Sequence, residues 1–258
     1  MIKVENLKVR FYIENQIVEA LKGVSFQLNE GEILAIVGES GSGKSVSCNA
    51  IMNLLPSYAE VEGSILIDDK NITQLSKEEV RQIRGNIVSM VFQEPSAVLN
   101  PLIPVGDQIL ETVLAHKDIH YKDAKEMVLK AMELAKIPNP EKRFYQYPHE
   151  LSGGLKQRVV IANAIVNKPK YILADEPTTA LDVTTAFQIL ALFEELKEKQ
   201  NIGILFITHD LGVVAQIADR VVVMYKGEVM EEADVYQIFD NPKSEYTKKL
   251  LSSRVFAL

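Results

Sequence analysis

The chain has 258 residues, of which 47% are hydrophobic and 24% are charged, as in an ordinary globular domain. Its formal net charge of −7 argues against nucleic acid as a partner, because nucleic-acid-binding proteins usually carry a basic surface. The single cysteine, Cys48, allows neither an intrachain disulfide nor a cysteine-based metal cluster, which fits a reducing, cytoplasmic setting.

The beginning of the chain predicts strands. IKVENLKVRFY alternates between polar and apolar residues, ALKGVSFQL does so loosely, and EILAIVG is a continuous apolar run. NEG at 29–31 predicts a turn. No signal peptide is expected, because the first residues lack an apolar core, and the longest apolar runs are far shorter than the ~18 residues of a spanning helix. We therefore expect a protein that is soluble by itself and can dock on a membrane protein.

Helices and strands then follow one another. The predicted elements are a helix from Gly43 to Leu55 that Pro56 ends, a strand at 64–69, a helix at 76–84 and a buried strand at 87–93. Ser76 and Glu79 have the spacing of a capping box at the start of the third of these elements. From Pro95 to Pro148 the chain is helix-like and interrupted by prolines, which predicts an inserted helical subdomain.

The second half alternates between the two kinds of element. The predictions are a helix from Ser152 to about Asn167, a strand at 171–175, an amphipathic helix at 184–200, a strand at 202–208, a hairpin at 220–233 and a helical end from Val235. Strands that alternate with helices indicate an α/β fold with a mostly parallel sheet.

GESGSGKS at residues 38–45 fits the P-loop pattern, and it follows an apolar strand and precedes a helix, as that motif requires. Glycines let backbone N–H groups surround phosphates, and the helix N-terminus adds its dipole. Lys44 is predicted to reach the β and γ phosphates of ATP, and the Ser45 hydroxyl to bind Mg²⁺. The residues assigned to the nucleotide are Gly38, Glu39, Ser40, Gly41, Ser42, Gly43, Lys44, Ser45 and Val46.

YILADE at 171–176 places two carboxylates at the end of an apolar strand, where α/β sheets bind ligands. Asp175 suits a Walker B role, which holds Mg²⁺, and Glu176 suits a general base that polarises the attacking water. A solvated turn is the alternative interpretation of the pair, and the P-loop makes it the weaker one.

LSGGLKQR at 151–158 is a second glycine-rich segment before a helix. Ser152 is a good N-cap, and Gly153 and Gly154 leave backbone N–H groups uncovered. These residues are interpreted either as an ordinary helix start or as a second anion site for the nucleotide.

The order GESGSGKS, Gln93, LSGGLKQR, YILADE, TALD and His209 resembles the ATP-binding cassette (ABC) ATPases over essentially the whole chain. The resemblance implies one nucleotide-binding domain, 1–258, with a P-loop NTPase core. Residues 1–93 and 168–233 would form the ATPase core with an N-terminal antiparallel β subdomain. Residues 94–167 would form the helical subdomain with the signature motif, and 234–258 a helical tail.

In that family two chains face each other head to tail, and the signature loop of one serves the ATP of the other. The resemblance thus implies that Ser152, Gly153, Gly154 and Gln157 contact the partner's ATP. It also implies a catalytic Gln93 that reaches Mg²⁺ and the attacking water; a polar residue after a buried strand is the alternative interpretation.

The remaining positions carry more than one interpretation. His209, after a buried strand, matches the switch histidine that contacts the γ-phosphate, although a lone histidine is usually structural. Asp182 matches the aspartate at the dimer seam and could equally cap the helix at 184–200. Phe11 matches the aromatic residue that stacks on adenine, with Tyr12 as the neighbouring alternative and a strand-core role as another.

FQEPSAVLNP (92–101), YPHELSGG (147–154) and NPKSEYTKKLLSS (241–253) resemble the ATPases of bacterial and archaeal peptide and nickel importers. This implies a second ATPase subunit, equal or different, a membrane permease with an extracytoplasmic substrate-binding protein, and a place on the cytoplasmic face of the membrane. Many members continue with a cysteine-containing extension. This chain stops at Leu258 without those cysteines, so a short member and a shortened chain both stay open.

Two rival functions fit the sequence less well. An ABC ATPase of DNA repair or translation usually has two cassettes or long coiled-coil insertions, and this chain has one cassette and no sustained heptads. A P-loop kinase or GTPase would not explain LSGG, and NKPK at 167–170 lacks the aspartate of the GTPase motif N-K-x-D.

Overall fold

The computed structural model describes residues 1–14 and 16–255, so the last three residues of the predicted tail lie outside the described residues. The chain divides into two compact units, Met1–Val80 with Gly203–Leu258, and Arg81–Ile202. The strands are β1 (Ile2–Ile13), β2 (Gln16–Leu28), β3 (Ile33–Val37), β4 (Ala59–Ile67), β5 (Lys70–Asn71), β6 (Val88–Val91), β7 (Tyr171–Asp175), β8 (Gly203–Ile207), β9 (Arg220–Tyr225) and β10 (Glu228–Asp234).

The helices follow the same chain order. They are α1 (Lys44–Ile51), α2 (Lys77–Ile83), α3 (Pro95–Val98), α4 (Val105–Leu114), α5 (Tyr121–Leu134), α6 (Pro140–Arg143), α7 (Gly153–Ile165), α8 (Val183–Gln200), α9 (Leu211–Ile217), α10 (Val235–Asp240) and α11 (Glu245–Val255). Short 3-10 helices cover Ile72–Gln74 and Pro148–Glu150.

The first unit begins with an antiparallel sheet in the order β2-β1-β4-β5. Alternate residues of β1 fill its core, and Leu7 and Val9 are fully buried. Asn6 has a φ of 47°, and the register with β2 shifts between Val4 and Leu7. Such a bulge adds one residue to one strand and strengthens its twist.

The other strands of the first unit are mostly parallel. β3 pairs in parallel with both β8 and β9, and β10 runs antiparallel to β9 as the predicted hairpin. Every residue of β3 is buried, which explains its continuous apolar run, because a parallel strand is covered on both faces.

The second unit combines the parallel pair of β6 and β7 with helices α3 to α8. Tyr171–Ala174 of β7 have no exposed surface, and the buried face of α7 extends from Gln157 to Ile165. The α/β fold class with mostly parallel strands, an antiparallel β subdomain and a helical segment is confirmed. Within the described residues we find no helix of the length and apolarity that membrane crossing demands.

The boundaries of two predicted elements were wrong. Helix α1 ends at Ile51, before Leu55, because Asn53 adopts a left-handed φ of 49°, which an asparagine tolerates at a helix end. The strand predicted at 64–69 is β4, which begins five residues earlier, at Ala59, and ends at Ile67. Asp68 and Asp69 then have φ values of 46° and 67°. Two consecutive positive φ angles form a tight hairpin turn.

Candidate nucleotide-binding site

The predicted phosphate loop lies between β3 and α1, in the first unit, and packs tightly against its neighbours. Gly43 has a φ of 103°, and a Cβ placed on it would lie 2.5 Å from Leu21 Cδ2 and 2.8 Å from Ala20 O. A larger residue would be both strained and obstructed at this position. Glycine is therefore required here by the fold of the loop itself.

The Lys44 amine lies inside this loop. Lys44 is 6% exposed. Its Nζ donates hydrogen bonds to the carbonyl oxygens of Gly38 (2.9 Å) and Glu39 (3.0 Å). No described side chain caps α1 at Gly43, and the first turn carries no acidic residue. Positive charge from both the amine and the helix N-terminus is therefore concentrated in the loop, as an anion site requires.

The second unit brings two of the predicted catalytic residues together. The Glu176 carboxylate accepts hydrogen bonds from Thr179 Oγ1 (2.8 Å) and from Gln93 Nε2 (3.4 Å). Glu176 follows β7 with a φ of 46°, a conformation that non-glycine residues adopt at an energetic cost and often at functional sites. Asp175, the last residue of β7, is half-buried.

The donors predicted for Mg²⁺ are the hydroxyl of Ser45, the amide of Gln93 and the carboxylate of Asp175. All three offer oxygen, the ligand that this hard cation prefers. Across residues 1–14 and 16–255, no group of three or more His, Cys, Asp or Glu side chains converges on one point. Oxygen donors of this kind fit Mg²⁺, which proteins usually bind through one or two carboxylates together with substrate phosphates.

The signature segment opens α7 in the second unit. Ser152 is the N-cap, because its Oγ accepts the N–H of Leu155 at 3.4 Å. The two glycines differ: a Cβ on Gly154 would lie 2.5 Å from Thr185 Cγ2, whereas a Cβ on Gly153 would meet no described atom within 4 Å. The fold of the unit explains a glycine at 154 and leaves the glycine at 153 unexplained.

Gln157, assigned to the same segment, is 1% exposed, and neither polar atom of its side chain has a hydrogen-bond partner among the described residues. The side chain thus lies inside the second unit, while Ser152 and Gly153 are exposed. Its contact with nucleotide stays a prediction.

Asp182 caps α8, as one of its two interpretations predicted. Its Oδ1 accepts the N–H of Thr185 (3.0 Å) and its Oδ2 accepts the Thr185 hydroxyl (2.7 Å). These bonds, the side-chain one first, lower the pKa of the exposed carboxyl. Thr185 therefore contacts both Gly154 and Asp182, a link between two motifs that sequence reasoning missed. The sequence did offer a signal for the contact with Asp182, because Thr185 lies three residues after this helix cap, where a cap side chain accepts a backbone N–H.

The two aromatic candidates for adenine lie on opposite faces of β1. Phe11 is half-buried on the face that also carries Leu7 and Val9, and its ring centroid lies 6.0 Å from that of Tyr58. Val9 pairs with Leu21, the residue whose methyl group lies against Gly43. Phe11 thus shares the face of the sheet on which the phosphate loop packs.

Tyr12 points the other way. Its hydroxyl donates to Glu60 Oε2 at 2.6 Å, on the face where Arg10 also pairs with glutamates. The hydrogen bond to Glu60 raises the pKa of the Tyr12 phenol. This charged, exposed surface is a poor match for an adenine ring, which favours an apolar contact.

His209 follows β8 at the carboxyl end of a buried strand in the first unit. The backbone on either side of it is fixed: Thr208 is 3% exposed, the N–H of Asp210 donates to Thr208 Oγ1 (3.0 Å), and Asp210 caps α9 through the N–H of Gly212 (2.8 Å). The histidine residue itself is exposed.

The predicted site residues are thus distributed between the two units. The first unit holds Phe11, the loop 38–46 and His209, and the second holds Gln93, Ser152, Gly153, Gly154, Gln157, Asp175, Glu176 and Asp182. A phosphate-binding loop after a buried strand, a carboxylate pair after another, and a glycine-rich helix start define a P-loop ATPase of the cassette type.

Comparison with known proteins supports this class. The family model described as ABC transporter matches residues 21–179. The dipeptide transport ATP-binding protein DppD of Bacillus subtilis (strain 168) is 50% identical over 98% of this chain and 76% of its own length. The oligopeptide transport ATP-binding protein OppD of the same organism is 49% identical over 98% and 71%.

Among solved structures, the dimeric ATP-binding cassette MJ0796, in a post-hydrolysis state bound to ADP and Pi, is 32% identical with a TM-score of 0.81. The match covers 91% of this chain and 99% of that one. This chain therefore belongs to the ABC transporter family and is an ATPase.

Proposed function

We propose that this protein is the ATP-driven motor subunit of an ABC importer for peptides. The observation that carries the proposal is the near-complete match, at 50% and 49% identity, with proteins named for dipeptide and oligopeptide transport. A nickel importer, the other possibility in this branch, has no comparable support among these relatives.

Each predicted residue receives a role in the proposed reaction. The loop 38–46 binds the triphosphate through its N–H groups and Lys44, and Phe11 stacks on adenine. Glu176 takes the proton of the attacking water, which Gln93 helps to orient, and their hydrogen bond supports this pairing. His209 contacts the γ-phosphate. Catalysis is then mostly positioning and stabilisation of charge.

Mg²⁺, when bound, neutralises charge on the phosphates. Ser45, Asp175 and Gln93 are the residues that would hold it, directly or through water. The oxygen atoms of their side chains support this assignment. Substitution of each of the three residues would test its role in binding Mg²⁺.

Two chains are proposed to close head to tail over two ATP molecules, so that Ser152 and Gly153 of one chain meet the γ-phosphate bound by the other. The glycine at 153, which the fold of its own unit does not require, supports such a contact, because an intermolecular approach would explain it. In an isologous dimer the same two surfaces meet twice, so each chain would supply a signature segment to the ATP bound by its partner. Asp182 would lie at the seam.

The proposed partners are an equal or different second ATPase subunit, a permease and, through it, an extracytoplasmic binding protein. The chain would then work at the cytoplasmic face of the membrane. We further propose that 1–93 with 168–233 form the ATPase core, 94–167 the helical subdomain and 234–258 the tail.

The test is peptide-dependent ATP hydrolysis by the assembled transporter. The chain, copurified with its permease and placed in lipid vesicles, should take up a labelled peptide, and the peptide-loaded binding protein should stimulate hydrolysis. Glu176→Gln serves as the control, because it should bind Mg-ATP and dimerise yet neither hydrolyse nor transport. Uptake of nickel without uptake of peptides would overturn the peptide assignment.

A further inference from the structure

The segment before α11 is fixed by one nearly buried carboxylate. Glu231, 9% exposed in β10, accepts the backbone N–H groups of Lys243 (2.8 Å) and Ser244 (3.0 Å). It lies at a break in the register between β9 and β10. The carboxylate therefore sets where α11 begins, and with it the position of the second residue of that helix, Tyr246.

Tyr246 packs on the end of the neighbouring strand. Its ring stacks on that of Tyr225, the last residue of β9, with the centroids 4.3 Å apart and the planes inclined by 32°. The ring also packs against the apolar cluster that includes Val37, the residue immediately before the phosphate loop. Tyr246 thus adjoins the end of β3, which leads into that loop, and the end of β9, which lies beside β3.

The hairpin between β9 and β10 holds the phosphate loop itself. The N–H of Gly227 donates to the carbonyl oxygen of Ser42 at 3.0 Å. At the start of the loop, the carbonyl oxygen of Met224 approaches so closely that a Cβ on Gly38 would lie 2.2 Å from it. The hairpin, with Tyr225 between these two contacts, therefore supports the loop at its first residue and at its middle.

The Tyr246 hydroxyl lies near Glu39 of the phosphate loop. The oxygen is shielded from solvent and makes no well-formed hydrogen bond with any described residue. Burial raises the pKa of this phenol, and the nearby carboxylate of Glu39 in the phosphate loop raises it further. Leaving a buried hydroxyl without a hydrogen-bond partner costs free energy, so a carboxylate that comes within bonding distance of it would be stabilised there.

We propose that Tyr246 is a positioning residue for ATP: it supports the back of the phosphate loop by stacking on Tyr225, and its hydroxyl bonds Glu39 when the loop closes on the triphosphate. The residue acts through the loop and touches no reacting atom. The tail is thereby a part of the nucleotide site, a role that nothing in the P-loop pattern requires.

This inference rests on the proposal that the loop 38–46 binds ATP, and the experiment separates the two. The dissociation constant of a fluorescent ATP analogue is measured on the purified chain, together with KM and kcat for ATP and the unfolding temperature. Tyr246→Phe removes only the hydroxyl. It should weaken binding and raise KM by about three- to tenfold, the effect of one hydrogen bond, with kcat and the unfolding temperature unchanged.

Tyr236→Phe is the matched control, because Tyr236 is 76% exposed on α10 and should leave all four quantities unchanged. Wild-type affinity and KM in Tyr246→Phe would overturn the role of the hydroxyl, as would a lower unfolding temperature with unchanged affinity. Lys44→Ala should abolish binding of the analogue. Retained binding in Lys44→Ala would instead show that the loop itself was misassigned.

Discussion

The substitution Gly153→Ala tests why the signature helix begins with a glycine. The glycine could be needed by the fold of its own chain, or by the close approach of another molecule. A Cβ added to Gly153 would meet no described atom within 4 Å, and the residue opens α7 with a helical backbone. The substitution Gly153→Ala should therefore be harmless to the folded chain. It should be harmful only if another molecule approaches this point closely.

Both effects have expected magnitudes. Replacing glycine by alanine in a helix stabilises a protein by about 0.5–1 kcal/mol, so the unfolding temperature should rise by roughly 1–4 °C. If the partner's γ-phosphate contacts the N–H groups here, the added methyl group displaces it. Each hydrogen bond to a charged group contributes about 1.5–3 kcal/mol, so the loss of one should lower hydrolysis roughly ten- to hundredfold.

The assay compares steady-state hydrolysis with size-exclusion chromatography in ATP, the latter in a Glu176→Gln background that should hold the dimer together. Gly153→Ala should bind ATP as a monomer but hydrolyse it slowly and fail to dimerise. Gly154→Ala is the contrasting variant, because its Cβ would lie 2.5 Å from Thr185 Cγ2 and should lower stability. Wild-type hydrolysis and dimerisation by Gly153→Ala would refute the contact in trans.

Three further predictions concern other parts of the site. Phe11→Ala should raise KM for ATP several-fold while Tyr12→Phe, which loses only the bond to Glu60, should not; equal effects in ATP titrations would remove the distinction between the two faces of β1. Asp182→Asn should keep the unfolding temperature, because asparagine caps helices as well as aspartate does, yet weaken ATP-dependent dimerisation if the charge matters at the seam; Asp182→Ala should in addition lose about 0.5–2 kcal/mol. Glu231→Gln should reduce stability by about 1.5–3 kcal/mol at neutral pH. Burial raises the pKa of Glu231, but the N–H groups of Lys243 and Ser244 outweigh it and hold the pKa below its ordinary value of 4.5. The wild type's advantage should therefore persist above that pH and fade as the pH falls through the lowered pKa in denaturant titrations; an advantage that does not vary with pH would contradict the stabilising role of the ionised Glu231 carboxylate.

Elements with local signals could be predicted from the sequence. Strand β7 begins and ends where the YILAD run does, and the capping box before α2 is present, because the N–H and the hydroxyl of Ser76 both donate to Glu79 Oε2 (2.9 and 2.6 Å). The phosphate loop needed only its own pattern and its flanking strand and helix. Such features depend on residues within a few positions of one another, which is why pattern and propensity suffice.

The support of that loop could not be predicted in the same way, because its contacts join distant parts of the chain. The bond from Gly227 to Ser42, the approach of Met224 to Gly38 and the stack of Tyr246 on Tyr225 depend on β9 lying beside β3, a fact of sheet order. From the sequence, the tail NPKSEYT shows only a resemblance to a branch of the family. The same spatial argument gives this tail a structural role. Lys44 bonds carbonyl oxygens at the start of its own loop, and further support for the loop comes from the residues that pack behind it. In this chain the hairpin contacts the loop directly, and Tyr246 of α11 packs on the hairpin.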